Sequence, residues 1–181
     1  MEQNLEQEII AFSQTWEQYL DDETHPHYEL ACVISNWLTW LWDKPRELAN
    51  LEPELAEVKF SAWRELMDFH IWGSLGSLEG ALNVFLPEQT QNYLDWFGDC
   101  QAVARNKLTD LGYQRICPVR GALLVPGEAI EATFQTTDQQ ELDGRVHHVP
   151  PGKAGYRKDG KILAPAEAVV YRYQPEETSS S

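Results

Sequence analysis

Paired histidines are the residues of this sequence whose types and spacing could bind a metal ion. His25 and His27 flank Pro26, and His147 is followed directly by His148. A metal site needs three or four converging ligands, and neither pair is accompanied by a Cys-x-x-Cys or His-Glu-x-x-His spacing. A proline between two histidines indicates a turn, and adjacent residues of a strand point to opposite faces of a sheet. We therefore expect no metal site.

The cysteines and the common catalytic loops are the next candidates for chemistry. Cys32, Cys100 and Cys117 are odd in number and widely spaced, which argues against a disulfide scaffold. Cys117 has no adjacent histidine or basic residue to favour a thiolate, so a buried structural thiol is the better interpretation. The sequence contains no Gly-x-x-x-x-Gly-Lys-Ser/Thr, Gly-x-Gly-x-x-Gly or Gly-x-Ser-x-Gly motif. We expect no enzyme activity, no catalytic residue and no cofactor.

The charge of the chain is strongly negative and unevenly distributed. The 181 residues carry a formal net charge of −15, and residues 1–105 hold 5 Lys and Arg against 19 Asp and Glu. An acidic surface repels nucleic-acid phosphates and anionic lipids, so we expect neither nucleic acid nor membrane as a partner. The alternative is that the charge only keeps the protein in solution.

The start of the sequence bears on the cellular compartment. Residues 1–4 are acidic and polar, where a signal peptide would have a basic segment. No apolar run approaches the roughly 18 residues that a membrane span needs. Together with the unpaired cysteines, these features predict a cytoplasmic protein.

Apolar residues that recur every three or four positions predict helices in the N-terminal half. The predicted helices cover about 2–20, 27–42, 53–72 and 88–111. The sequence Asp43-Lys44-Pro45 is expected to end the second of them. Gly73, Gly76 and Gly80 loosen the pattern before the fourth. All seven tryptophans lie in this half, and a core of large rings explains them better than a cofactor site.

Beyond Gly112 the sequence predicts strands, because tryptophan disappears and glycine, proline and β-branched residues dominate. Five or six short strands are expected, at 113–119, 123–125, 130–136 and 145–149 and in a closing hairpin. The fold class is therefore α+β, with a helical region of about four helices followed by a small all-β domain. The predicted domains are residues 1–111 and 112–174, with a polar, frayed tail at 175–181.

The closing hairpin has the clearest local signal. Asp159-Gly160 suits a type I′ turn, in which both central residues adopt positive φ. Ile162 and Leu163 continue the strand after the turn. Pro165 then interrupts the ladder because it has no N–H to donate, and a β-branched and aromatic run resumes at 168–173.

The order of residues 155–171 resembles the C-terminal β-domain of GrpE. The shared order is Gly-Tyr, a short polar turn, a basic residue, two aliphatic residues, x-Pro-Ala and a valine-rich strand. Leu78-Glu79-Gly80-Ala81-Leu82 is similar to a segment of the later GrpE helices. Leu108-x-x-Leu111-Gly112 is similar to the hinge that precedes the GrpE β-domain. The all-β domain predicted here is therefore expected to be of GrpE type.

This resemblance implies a nucleotide exchange factor, a co-chaperone in protein folding and the stress response. GrpE binds the ATPase domain of a DnaK-type chaperone through its β-domain and promotes ADP release. On the matching positions, Lys161 would supply a basic contact and Tyr156, Ile162 and Leu163 apolar contacts. Lys161 could equally be an ordinary solubilising charge, and the aliphatic pair could pack inside the domain. Turns at the same surface would be shaped by Gly121, Pro126 and Gly155.

The sequence leaves the oligomeric state open and allows two interpretations besides the exchange factor. The N-terminal helices are short, broken by proline and without sustained heptads, unlike the long coiled coil of GrpE dimers. A homodimer is therefore not carried over from the family and stays an open alternative. The protein could also be an adaptor or assembly protein that docks through the β-domain and binds another protein through its aromatic helices. An unrelated helical domain fused to a small barrel is the third interpretation.

Overall fold

The computed structural model describes residues 2–125 and 129–175. Helices come first along the chain and strands follow, which confirms the predicted α+β class. The chain divides into two compact units. The first comprises Met1–Phe60 and Phe69–Leu111, and the second comprises Ser61–Asp68 and Gly112–Ser181. A short stretch of helix therefore belongs to the same unit as the strands.

Helices α1 to α6 are Glu2–Glu17, Tyr28–Leu38, Lys44–Ala49, Pro53–Trp72, Gly76–Phe85 and Thr90–Asp110. Strands β1 to β6 are Tyr113–Ile116, Ile130–Thr137, Val146–His148, Gly155–Lys158, Lys161–Ala164 and Ala166–Tyr173. Short 3₁₀ turns occupy Pro87–Gln89 and Gln140–Leu142. None of the helices in the described part of the chain is long and apolar enough to cross a membrane.

The predicted end of the second helix at Asp43-Lys44-Pro45 is wrong. A π-helical turn at Thr39–Asp43 follows α2, and the chain then continues directly into α3. Pro45 lies in the first turn of α3. A first-turn residue has no intrahelical partner for its N–H, so proline is tolerated there. The proline marks the start of a new helix instead of the end of the old one.

Helix α5 forms although glycines weaken its sequence pattern. Leu78 and Leu82 lie one turn apart on the same face, and both are fully buried. Burying two leucine side chains contributes about 3 kcal/mol or more, which exceeds the cost of about 1 kcal/mol for Gly80 in a helix. Packing therefore overrides local propensity at this position.

Aromatic rings fill much of the core of the first unit, in agreement with the prediction for tryptophan. Trp16 and Trp37 are buried, as are Phe60 and Phe97. The other five tryptophans in the chain are half-buried. A ring as large as indole often keeps one edge in water, so this mixture is ordinary for a helical core.

Side chains of α6 satisfy the carbonyl groups at the end of α4. The Gln101 amide nitrogen donates to the carbonyl oxygens of His70 and Gly73, at 2.7 and 3.1 Å. The Arg105 Nε donates to the carbonyl oxygen of Ile71 at 3.0 Å. The last carbonyls of a helix lack intrahelical donors, so these bonds replace water at a partly buried helix end.

The strands of the second unit form two three-stranded sheets, with strand orders β1-β4-β5 and β2-β6-β3. Strands β2 and β6 pair in parallel over eight residues, and the other pairs are antiparallel. The second sheet contributes a small hydrophobic cluster of buried residues. It consists of Val146, Ala168 and Val170, and the partly buried residues packed against it are Leu124, Ile130, Ala132 and Val149.

The local features predicted for the closing hairpin are confirmed. Asp159 and Gly160 have φ of +50° and +81°, as a type I′ turn requires. Strand β5 ends at Ala164 and β6 begins at Ala166, so Pro165 separates the two ladders. Gly112, with φ of +84°, directly follows the C-cap of α6.

Two other predictions for the C-terminal half have different outcomes. Residues 123–125 do not form a strand; Leu123 makes one isolated antiparallel bridge to Arg145. A segment this short gains too few ladder bonds to extend further. The predicted frayed tail falls largely outside the described residues, which end at Pro175.

Candidate partner-binding surface

The hairpin of β4 and β5 presents charged and aliphatic side chains together. Arg157 on β4 lies directly opposite Ile162 on β5, and both are exposed. Directly opposed residues share one face of a sheet, so the guanidinium group and the aliphatic side chain form one patch. Lys158 is opposite Lys161 next to the turn, which places two positive charges at the tip of the hairpin. A patch of this composition suits an acidic partner with some apolar surface.

A groove of about 600 Å³ adjoins this patch. Ile162 and Arg157 form one side, and Ile130 is on another. Ile162 is 44% exposed, a large fraction for an isoleucine in a strand. The full lining is Ile116, Cys117, Pro118, Ala129, Ile130, Arg157 and Ile162.

Basic residues concentrate around the hairpin. Residues 113–125 and 145–161 contain half of the 14 lysines and arginines of the chain and only one acidic residue, Asp159. This part of the second unit is therefore cationic in a protein whose net charge is −15. The basic residues are Arg115, Arg120, Arg145, Lys153, Arg157, Lys158 and Lys161.

A buried polar network supports the sheet that carries the hairpin. Asp68 is 2% exposed, and its carboxylate accepts hydrogen bonds from Arg115 Nε at 2.6 Å and from the Tyr156 hydroxyl at 2.7 Å. Burial works against the charge of Arg115, but the bonds and charge of Asp68 outweigh it and raise the pKa of Arg115. Burial, followed by the negative charge of Asp68, raises the pKa of the Tyr156 phenol. The network thus connects Arg115 of β1 and Tyr156 of β4 through the Asp68 carboxylate.

A second network, more exposed than the first, lies beside the start of β6. Lys153 Nζ is 2.7 Å from a carboxylate oxygen of Glu65 and 3.4 Å from one of Glu167. Arg64 bridges the same two carboxylates at 3.4 Å each and donates to the Pro165 carbonyl at 3.2 Å. The hydrogen bond from Lys153 is the main reason that the pKa of Glu65 is lowered. Exposed pairs of this kind contribute little singly.

We expect the Lys153→Met variant to lose a small part of the free energy of unfolding, namely the part that the pair of Lys153 and Glu65 contributes, and this loss depends on pH. The folded pKa of Glu65 lies below its ordinary 4.5, so the pair stabilises the fold above that pH and the stabilisation is lost as pH falls through the lowered pKa. In the variant, an NMR titration should show the pKa of Glu65 closer to 4.5. Lys107→Met, exposed on α6, is the control and should leave Glu65 unchanged. An unchanged titration in Lys153→Met would contradict the assignment.

The predicted contact residues fall into exposed and internal groups. Lys161 and Ile162 are exposed on β5, and Leu163 is half-buried. Tyr156 is 1% exposed and Gly155 is buried. A side chain without accessible surface cannot contact a partner, so the structure gives Tyr156 a positioning role under the hairpin instead of the predicted apolar contact.

The two remaining predicted residues, Gly121 and Pro126, lie in the connection before β2. Gly121 has φ of +83°, and its N–H donates to the Val146 carbonyl at 2.8 Å, so it shapes a turn as predicted. Pro126 lies outside the described residues. The sequence reasoning missed Arg157, although its place opposite Ile162 follows from the turn that the sequence does predict.

His147 and Cys117, two of the residues considered for chemistry, have different surroundings. The Tyr171 hydroxyl and His147 Nδ1 are hydrogen-bonded at 2.7 Å, and burial, then the charges of His148 and Arg120, lower the pKa of His147. Within residues 2–125 and 129–175, no group of three or more His, Cys, Asp or Glu side chains is arranged to hold a metal ion. The prediction that Cys117 is buried is wrong: it is exposed, because β1 ends at Ile116 and Cys117 lies beyond it in the groove lining.

Comparison with known proteins adds no relative to this description, since no family model and no curated protein matches the chain.

Proposed function

We propose that this protein is a nucleotide exchange factor that binds the ATPase domain of a DnaK-type chaperone and promotes ADP release. The observation that carries the proposal is the β4–β5 hairpin, where Arg157 and Ile162 are exposed on one face and Lys161 is exposed next to the turn. Lys161 and Ile162 are the basic and aliphatic positions of the GrpE resemblance. Both are accessible, as a contact surface requires.

The mechanism requires shape and charge from this protein, without bond-making chemistry. A protein that binds the open state of the ATPase cleft more tightly than the closed state lowers nucleotide affinity by the same factor. A difference of about 3 kcal/mol corresponds to a roughly 150-fold weaker affinity for ADP. The buried network of Asp68, Arg115 and Tyr156 anchors the hairpin through β4, which reduces the binding energy lost in ordering it.

The charge distribution supports an acidic contact surface on the chaperone. The hairpin region is cationic, whereas residues 1–105 are strongly anionic. An acidic chaperone lobe would be attracted by the first and repelled by the second, which orients the encounter. Association should therefore slow as the salt concentration rises.

The test is the release of fluorescently labelled ADP from a DnaK-type chaperone of the same cell. Wild-type protein is expected to accelerate release, and Lys161→Glu is expected to reduce the acceleration about tenfold through lost charge attraction. Lys107→Glu makes the same change of charge at an exposed position of α6 and is the matched control.

The outcomes separate this proposal from its alternative. Failure to accelerate release from any DnaK-type chaperone of that cell would refute the exchange function. Chaperone binding that depends on Lys161 but leaves ADP release unchanged would instead identify the β-domain as the docking module of an adaptor.

A further inference from the structure

The first unit contains a groove that the proposed exchange function does not use. It has a volume of about 460 Å³ and lies between α1 and α6. Its apolar surface comes from the rings of Phe12, Tyr93 and Trp96, and Glu8 and Asn92 contribute polar groups. The groove thus combines three aromatic rings from the two helices with one carboxylate, that of Glu8 on α1.

The three rings form one cluster with accessible faces. The ring centroids of Phe12 and Trp96 are 4.3 Å apart, and those of Phe12 and Tyr93 are 5.6 Å apart. All three residues are half-buried and line the groove, so each ring is partly held by packing and partly accessible. A fixed, partly exposed ring can bind a ligand with little loss of conformational entropy.

The segments of α1 and α6 that line the groove carry no lysine or arginine; the two basic residues of α6, Arg105 and Lys107, lie near its C-terminal end. Residues 1–43 and 65–104 contain no lysine and no arginine. Glu8 is an exposed residue of the groove lining, and its negative charge acts on the buried Cys100. Burial, with the charges of Asp99 and then Glu8 adding to it, raises the pKa of Cys100 to about 12. An anionic ligand would be repelled from such a groove, and a cationic one attracted.

We propose that this groove binds a basic segment of a partner protein. The chemistry of the site fits lysine and arginine side chains in two ways. Their charged ends can lie over the faces of Trp96 and Phe12, an interaction worth about 0.5–2 kcal/mol per pair. Their aliphatic stems can pack against the same rings while Glu8 neutralises the charge.

The experiment measures binding of a fluorescently labelled amphipathic peptide of lysine and leucine to the full chain by anisotropy. Glu8→Lys is expected to weaken binding about tenfold, because it reverses the charge in the groove wall. Asp110→Lys changes the net charge equally but lies 14 residues beyond Trp96 on α6, about 21 Å along the helix axis. This control is expected to weaken binding less than about twofold.

Trp96 tests the aromatic part of the proposal. Trp96→Ala is expected to weaken binding about tenfold, and Trp96→Phe, which keeps an aromatic face, about threefold or less. If Trp96→Ala fails to fold by circular dichroism, the Glu8 and Asp110 pair decides alone, since both residues are exposed.

Three results would overturn the proposal. Equal weakening by Glu8→Lys and Asp110→Lys would show that the peptide responds only to overall charge. Equal binding of a peptide with glutamate in place of lysine would show that the groove does not select basic segments. Undiminished binding by a folded Trp96→Ala variant would show that the rings are not the site.

Discussion

The Asp68→Asn variant is expected to lose about 3 kcal/mol of unfolding free energy. Asp68 is 2% exposed and accepts bonds from both Arg115 and Tyr156. Asparagine preserves the volume but removes the negative charge that lies 2.6 Å from Arg115 Nε, so this ion pair is lost while the guanidinium stays half-buried. Breaking a buried pair from one side costs more than the pair contributes, because the remaining charge stays desolvated. Urea denaturation at neutral pH measures the loss.

Two comparisons establish that charge, and not packing, causes this loss. Tyr156→Phe removes one hydrogen bond from the same carboxylate and is expected to cost about 1 kcal/mol. Asp138→Asn alters an exposed carboxylate in the same unit and should change stability by less than about 0.5 kcal/mol. A loss in Asp68→Asn no larger than that in Tyr156→Phe would contradict the ion-pair argument.

The Gly155→Ala variant is the second large expected effect, with a loss of about 3 kcal/mol. A Cβ atom at residue 155 would lie 2.7 Å from the Pro165 carbonyl carbon and 2.8 Å from the Ala164 oxygen, and still closer to the Ala166 nitrogen. All three are backbone atoms, which cannot rotate away as a side chain can. The connection between β5 and β6 would have to shift, and with it the hairpin. The melting temperature should fall, and the proposed binding to a chaperone should weaken.

Gly98 in α6 is the matched control for this substitution. An added Cβ there meets no atom within 4 Å, and the residue has helical backbone. Gly98→Ala is expected to raise stability by roughly 0.5–1 kcal/mol, because alanine loses less conformational entropy in a helix. A Gly155→Ala protein as stable as wild type would show that the two strands do not approach as closely as described.

Local structure could be predicted well wherever neighbouring residues decide it. Asp159-Gly160 gives a type I′ turn because aspartate tolerates positive φ and glycine adopts it freely. The helix at 53–72 was predicted at its observed bounds because its apolar residues repeat with helical period and Pro53 suits the first turn. The α+β class followed from the change of residue types after Gly112.

The site was only partly predictable, because exposure depends on what packs against each strand. Tyr156 and Ile162 are both large apolar residues of one short hairpin, and the local sequence does not distinguish them. Tyr156 is nevertheless buried and Ile162 is not. Cys117 directly follows β1 and lies in the lining of a groove. The residues next to these positions in the sequence do not indicate whether the side chains are buried or exposed.

The sequence by itself determined the fold class, the hairpin turn, the proline break before β6 and the uneven charge of the protein. The tertiary structure alone decided that Asp68 is the partner of Arg115 and Tyr156, 47 and 88 residues away. It also decided that Phe12 of α1 meets Trp96 of α6 in an acidic groove. The physical reason is that turns and helical periods depend on short-range sterics and hydrogen bonds. Buried charge networks and grooves form only when distant segments leave water together.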